Sequence, residues 1–370
     1  MKVNSTSARP PPRILRQTRQ PVDRPFDTFM VLIEENRRYL SGFTGQDGHF
    51  DESAGMLFIT EHRQLLVTDS RYELQARTEA PEFEILCYKN DLASSLCDIL
   101  EDLKTKRLGF EAARLSFRNH QRLQEQLNKR GLKITMVPTE NLVETLRAVK
   151  DPHELDAIRR SLALSESVFD RFRVKLRPGL TEKALAWTLE KGLREAGADS
   201  LAFPPIVATG PNAAMPHAVP TERVVSESEP LLFDWGARLN GYCSDISRTL
   251  VLGTPDATFA AVYQVVRDAQ QMAIDAIKPG VTTRDVDKIA RDHIASKGFG
   301  ERFGHSLGHG VGIATHEGPH LSPLRSTTLE IGMVTTVEPG IYIPGWGGVR
   351  LENMVAVTEN GAVVLNRSPV

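Results

Sequence analysis

From Asp27 onward the chain alternates short apolar runs with longer stretches in which apolar residues recur every three or four positions. Thr28 to Ile33 and Ala54 to Thr60 read as strands, followed by Leu65 to Thr68, while Asp91 to Lys104 and Phe117 to Arg130 read as amphipathic helices. This pattern predicts a small α/β domain over residues 25–145, with its boundary between Asn141 and Asp151. Asp151-Pro152 is a helix start, because Pro is tolerated in the first turn and Asp can cap it, and His153 to Leu176 carries an apolar face at helical spacing. Gly179-Leu180-Thr181 then caps a second helix, from about Glu182 to Ala196. The arrangement recurs with Phe259 to Ile277, a Pro279-Gly280 turn, Thr282-Thr283 as cap and Asp285 to Lys297. Two long helices, each ending in a Pro-Gly turn before a Thr-initiated helix, predict an internal duplication within a second domain, residues 150–370.

The segment before the first strand is different. Its first 22 residues hold no acid, five Lys or Arg and four prolines, a composition that cannot build a packed element, so residues 1–24 are expected to be a flexible basic tail. Elsewhere 41% hydrophobic and 25% charged residues are ordinary for a globular protein, and 370 residues suffice for two domains. A net charge of −2 argues against a dedicated nucleic-acid surface or a membrane-surface role. Cys87, Cys97 and Cys243 are odd in number and lack metal-site spacing, which suits reduced thiols. With no apolar stretch of spanning length and no apolar core after the N-terminal basic residues, the protein is expected to be cytoplasmic.

The candidate chemistry begins in Leu231 to Leu250, LLFDWGARLNGYCSDISRTL. Asn240-Gly241 is the pair that a two-residue type I′ turn prefers, since both central residues need φ > 0. If Leu239 pairs with Tyr242, Gly236 lies opposite Asp245, and Asp234 points to the same face as a diagonal neighbour of Asp245. Their Cβ atoms are then roughly 7 Å apart, close enough to share a cation and unfavourable without one. Gly236 is expected to leave room there, and Cys243, two residues from Asp245, is read as a small core filler.

The C-terminal third supplies other ligand types. Four of the ten histidines lie between 305 and 320, in Gly304 to Gly312 (GHSLGHGVG) and in Thr315-His316-Glu317. Glu338 ends the apolar run Met333 to Val337, and Glu352 interrupts the run Val349 to Val357. Two aspartates, one histidine and two glutamates, each embedded in strand-like apolar sequence, point to a metal site.

These segments resemble the ligand signatures of the creatinase-fold, or pita-bread, metallopeptidases, and within that family those of aminopeptidase P and prolidase. The matching motifs are FDWGARLNGYCSD, GHSLGHGVG, VEPGIYI and GGVRLEN. Ala208 to His217 (ATGPNAAMPH) and Arg38 to Gly45 (RYLSGFTG) extend the resemblance over nearly the whole chain. It implies an α/β creatinase-like N-terminal domain followed by an α+β pita-bread domain with a pseudo-two-fold duplication. The family begins with an amphipathic helix, for which only Arg13 to Arg19 stands here.

Carried over residue by residue, the resemblance implies metal ligands Asp234, Asp245, His309, Glu338 and Glu352. Asp234 would chelate one ion, Asp245 and Glu352 would bridge, and His309 and Glu338 would complete the second. Such an oxygen-dominated shell suits two divalent ions about 3.5 Å apart, with Mn²⁺ preferred and Zn²⁺, Co²⁺ or Fe²⁺ able to substitute. Glu338 would also be the general base, and Arg350 would steady a ligand carboxylate. His217, His305 and His316 would contact substrate, with His305 and His316 stabilising the reaction intermediate. Tyr342 is expected to pack only, and His320, His49, His62, His120, His153 and His293 to be structural or surface residues. The rim candidates are Phe203-Pro204-Pro205 and Pro344 to Gly348.

The implied activity is hydrolysis of Xaa-Pro bonds in a proline-containing peptide, by an aminopeptidase or alternatively a dipeptidase, in a homodimer. A creatinase-like amidinohydrolase lacks the metal shell, non-catalytic relatives have lost ligands, and methionine aminopeptidase lacks a comparable N-terminal domain.

Overall fold

In a computed structural model the described residues are 25–48, 52–89 and 92–367; the basic tail and Arg13 to Arg19 lie outside them. The chain divides into two compact units, one ending at Leu146 and the other beginning at Arg147.

The first unit contains β1 (Thr28–Val31), α1 (Glu34–Ser41), β2 (Met56–Ile59), β3 (Gln64–Thr68), α2 (Glu73–Glu79), β4 (Glu84–Cys87), α3 (Leu92–Asp102), β5 (Arg107–Glu111), α4 (Phe117–Lys129) and β6 (Thr135–Thr139). Its six strands form one sheet in the order β4-β3-β2-β1-β5-β6, in which only β2 runs against the others. Met30, Phe58, Leu65 and Phe110 on one sheet face pack against Leu96, Leu100, Leu123 and Leu127 of α3 and α4. Helix α5 (Leu142–Ala148) spans the division between the units.

The second unit opens with α6 (Pro152–Arg173) and α7 (Glu182–Glu195), then β7 (Ser200–Leu201), β8 (Ile206–Thr209), β9 (Pro230–Trp235), β10 (Ala237–Leu239), β11 (Tyr242–Cys243) and β12 (Ile246–Val251). Its latter part repeats the order: α8 (Ala257–Ala276), α9 (Thr283–Ser296), then β13 (Gly308–Gly310), β14 (Glu317–Leu321), β15 (Val334–Val337), β16 (Gly340–Ile343), β17 (Gly347–Arg350), β18 (Asn353–Thr358) and β19 (Gly361–Val364). The duplication extends to single hydrogen bonds. Thr181 caps α7 through Ala184 N and Thr282 caps α9 through Asp285 N, each cap contributing about 1 kcal/mol. Gly179 and Gly280 both have φ near +90° in their Pro-Gly turns. Gly179 N donates to Val225 O, and Gly280 N donates to Leu329 O. In return Val225 N donates to Leu180 O, and Leu329 N donates to Val281 O.

Each helix pair covers part of the sheet structure. Ile158, Leu162 and Phe169 of α6 and Leu185 and Leu189 of α7 bury Phe233 and Trp235, with the Phe169 and Trp235 rings stacked at 4.0 Å. Val262, Val266, Val286 and Ala290 of α8 and α9 bury Val349, Leu351 and Val355. No described helix is long and apolar enough to cross a membrane.

The predicted hairpin has the expected turn and register, with Leu239 paired to Tyr242 and positive φ at Asn240 and Gly241. It is nevertheless two pieces. β9 and β12 belong to the sheet β12-β9-β8, whereas β10 and β11 belong to the sheet β11-β10-β7. The break falls at Gly236, where a Cβ would lie 1.9 Å from Ser244 O. The space expected beside Asp245 is therefore filled by backbone. Contacts from α6 hold the break: Ser165 Oγ meets Ser244 Oγ at 2.8 Å, and Ser161 Oγ donates to Ala237 O at 2.9 Å.

Candidate metal centre

Strand alternation turns Phe233 and Trp235 into the core under α6 and leaves Asp234 on the opposite face. Asp245 is brought beside it by the break just described, its N–H directed at Met354 Sδ. Glu352 lies in the link between β17 and β18, two residues after Arg350 at the end of β17. Its N–H donates to Ser247 O and its Oε2 accepts from Ser247 Oγ at 2.8 Å. Glu338 follows β15 directly and accepts from Thr336 Oγ1 at 3.0 Å. That hydroxyl also accepts from His309 N, which ties β13 and β15 together at the site. A Cβ at Gly308 would sit 2.1 Å from Thr336 O, so this approach of strands requires glycine.

His309 is oriented by its own backbone. Nδ1 donates to Gly310 O at 3.1 Å, and Nε2 faces Glu338 Oε1 at 3.3 Å and Asp245 Oδ2 at 3.6 Å, where without a cation it shares a proton with Glu338. Three overlapping groups result, Asp234/Asp245/Glu352, His309/Glu338/Glu352 and Asp245/His309/His316, each with ligand atoms within 4.8 Å of one another. His316 therefore also comes within ligand reach.

The electrostatics are adverse without a cation. Burial, then Glu352, Asp234 and Glu338, push the Asp245 carboxyl well above its ordinary value. Burial followed by Glu338 and Asp234 does the same to Glu352. Glu338 behaves oppositely: burial raises it, but the hydrogen bond from His309 and the charges of His309, His305 and Arg350 outweigh that and hold it at about 2. Arg350 Nη2 donates to Asp234 Oδ2 at 2.5 Å, yet Asp234 Oδ1 is buried without a hydrogen-bond partner. Three buried carboxylates and a half-buried fourth, one guanidinium, an orphaned carboxylate oxygen and a histidine ring nitrogen aimed inward fit hard divalent cations.

All nine residues singled out from the sequence line one cavity of about 460 Å³, together with Phe203, Ile206, Pro216, Ser306, Gly308 and His320. Two readings are corrected. Tyr342 packs against Ala208, Ala213 and Leu232, but its hydroxyl also lies 2.9 Å from His305 Nε2 and 3.0 Å from Arg350 Nη1. His320 faces His309 across β13 and β14 and lines the cavity. Its signal was the two-residue alternation from His316 through Gly318 to His320. Of the rim candidates Phe203 lines the cavity, whereas Pro344 to Gly348 does not. Cys243 is fully buried, with Sγ near Ile313 O, and is also absent from the lining.

The histidines differ in what they leave free. His305 has both ring nitrogens engaged, Nδ1 with Ser306 O at 2.8 Å and Nε2 with Tyr342. The His316 ring stands edge-on to His309 at 4.1 Å, and burial followed by the His309 charge lowers its pKa to about 4, so it is neutral near pH 7. His217 lies in the loop after β8, exposed at the mouth.

A family model described as metallopeptidase family M24 matches residues 156–359, and one described as the creatinase/prolidase N-terminal domain matches residues 13–149. The Bacillus subtilis peptidase YqhT is 39% identical over 343 residues, 93% of this chain and 94% of that protein. The solved structure of an Xaa-Pro dipeptidase from Bacillus anthracis superposes with a TM-score of 0.88 at 36% identity, over 96% of this chain and 97% of that one. An X-Pro aminopeptidase from Thermotoga maritima gives 0.84 at 36% identity, over 96% and 98%.

Proposed function

The chain belongs to metallopeptidase family M24, and from that membership we propose that it hydrolyses Xaa-Pro bonds, releasing the N-terminal residue from peptides with proline in second position. The observation that carries this reading is the convergence of Asp234, Asp245, His309, Glu338 and Glu352 on one cavity. The same reading takes residues 25–145 as the creatinase-like domain, 150–370 as the catalytic domain, and a homodimer as the assembly.

We assign those five residues as ligands of two divalent ions, Mn²⁺ by preference because the shell is mostly carboxylate. When bound, such ions stabilise charge on the scissile carbonyl oxygen and make water nucleophilic at neutral pH. The chain's own residues do the rest. Glu338 accepts the proton of the attacking water and returns it to the departing proline nitrogen. His316 and His217 donate hydrogen bonds to substrate and to the charge that develops during reaction. Arg350 fixes Asp234, and through Tyr342 it fixes His305. Phe203, Ile206 and Pro216 give the cavity an apolar wall for the pyrrolidine ring. An Xaa-Pro amide has no N–H, so recognition through the carbonyl oxygen and the ring suits it better than strand-like pairing.

A dipeptidase reading is favoured by the Bacillus anthracis likeness. It shares every residue above and differs only in what is tolerated beyond proline. Chelated protein reloaded with Mn²⁺ should be assayed in parallel on an Xaa-Pro dipeptide and an Xaa-Pro-Yaa tripeptide. Faster release from the tripeptide supports the aminopeptidase, and turnover of the dipeptide alone supports the dipeptidase.

His316→Ala is expected to keep both metal equivalents while lowering kcat by about 10²-fold, since a donor to the developing charge acts on the transition state. Metal analysis beside turnover checks this. Loss of metal together with activity would make His316 a ligand, as its distance from Asp245 and His309 also allows.

A further inference from the structure

The first unit holds a second cavity, of about 370 Å³, far along the chain from every residue of the metal centre. Its size falls within the range of small-molecule sites, about 300–1,000 Å³. It opens at the carboxyl ends of the parallel strands: Leu32 follows β1, Arg71 lies beyond β3, Tyr88 follows β4, and Arg114 and Leu115 lie beyond β5. From β1 the chain builds β2, β3 and β4 outward on one side, then crosses to place β5 and β6 on the other. Ligands of open α/β sheets bind in the crevice that such a reversal creates.

The lining is divided by polarity. Met30, Leu32, Met56, Leu96 and Leu123, all buried, make an apolar floor. The rim carries Arg71, Arg114 and Arg122, opposed by Glu52. Arg71 is paired with Asp69, and Arg114 shares Asp47 with Arg37. Among the described residues four guanidiniums thus meet three carboxylates, and Arg122 is exposed with no ion pair or hydrogen bond there. Leu92 and Ala93 in the first turn of α3, and Asn119 in that of α4, add the positive ends of two helix dipoles.

We propose that this cavity binds an amphiphilic anion, with an apolar body on the methionine and leucine floor and a carboxylate or phosphate at the arginine rim. The chain's own N-terminal segment is a poor occupant, because its first 22 residues carry five Lys or Arg and no acid.

The test is fluorescence titration of the full-length protein with 8-anilinonaphthalene-1-sulfonate. One saturable site is expected, weakened by about tenfold or more in Arg122→Glu and lost in Ala93→Phe, which fills the cavity. Octanoate or octyl phosphate should displace the dye, the stronger of the two naming the head group, while octanol at the same concentration should not. Unchanged peptidase turnover in both variants would show them folded. Absence of saturable binding, affinity indifferent to both substitutions, or equal displacement by octanol would overturn the proposal.

Discussion

Asp245→Ala is expected to abolish turnover, lowering kcat by at least about 10³-fold, and to remove one or both metal equivalents. Asp245 belongs to two of the three ligand groups, and no neighbouring side chain can take its place between Asp234, Glu352 and His309. Stability should move differently. Without metal the buried carboxylates repel one another, so the metal-free variant should melt at or above the metal-free native chain. The native chain should gain about 2.7 kcal/mol at a metal concentration a hundred times Kd, and the variant should gain much less. Calorimetric melting with and without Mn²⁺, beside metal analysis, reads both effects. A variant that keeps two equivalents and near-native turnover would mean that both the hairpin register and the site are misassigned.

The largest loss of stability is expected from Glu317→Gln. The Glu317 carboxylate is buried, paired with Arg147 and lying 2.8 Å from Lys150 Nζ. It also accepts from Ala314 N, and Gly312 leaves it space that a Cβ would occupy. Glu317 therefore anchors the loop carrying His316. Removing the charge takes the shared carboxylate away from two buried cations, at about 3–5 kcal/mol. Burial alone would raise the Glu317 carboxyl, but Lys150 and then Arg147 reverse this and hold it below its ordinary range. A depressed folded pKa means that the contribution is complete above the unfolded carboxyl value, about 4.3, and fades as pH falls through the lower folded value. Urea midpoints should differ strongly between native and Glu317→Gln protein at pH 7, with the gap narrowing below pH 4. A gap that widened in acid would contradict the ionised assignment.

The contrast between what the chain announces and what it conceals follows sequence distance. Asn240-Gly241 determines its own φ values and so the pairing of Leu239 with Tyr242, and the Thr181 and Thr282 caps set their helix starts within two residues of those expected. The division of the hairpin at Gly236 was hidden because Ser161 and Ser165, on a helix about 75 residues away, impose it. Tyr342 read as packing because its hydroxyl partner His305 lies 37 residues upstream. The pairing of Glu317 with Arg147 spans 170 residues, and nothing local in either segment signals it. In the first unit, β4, β5 and β6 went unread, since runs such as Thr135–Thr139 are short and interrupted by proline. The nine candidate side chains that line the cavity were reached through the resemblance carried by FDWGARLNGYCSD, GHSLGHGVG, VEPGIYI, GGVRLEN and ATGPNAAMPH, each a short local motif that the chain states without help from distant segments.

Direction of metal-dependent hydrolysis to the bond before proline by the carboxylate centre can be read by comparing Xaa-Pro and Xaa-Ala substrates of equal length on the same protein, first chelated and then reloaded with Mn²⁺. Neither series should turn over after chelation, and Mn²⁺ should restore turnover that favours the Xaa-Pro series by about tenfold or more. Equal or faster cleavage of the Xaa-Ala series would contradict the proline assignment, and full activity in the chelated protein would contradict the metal centre itself.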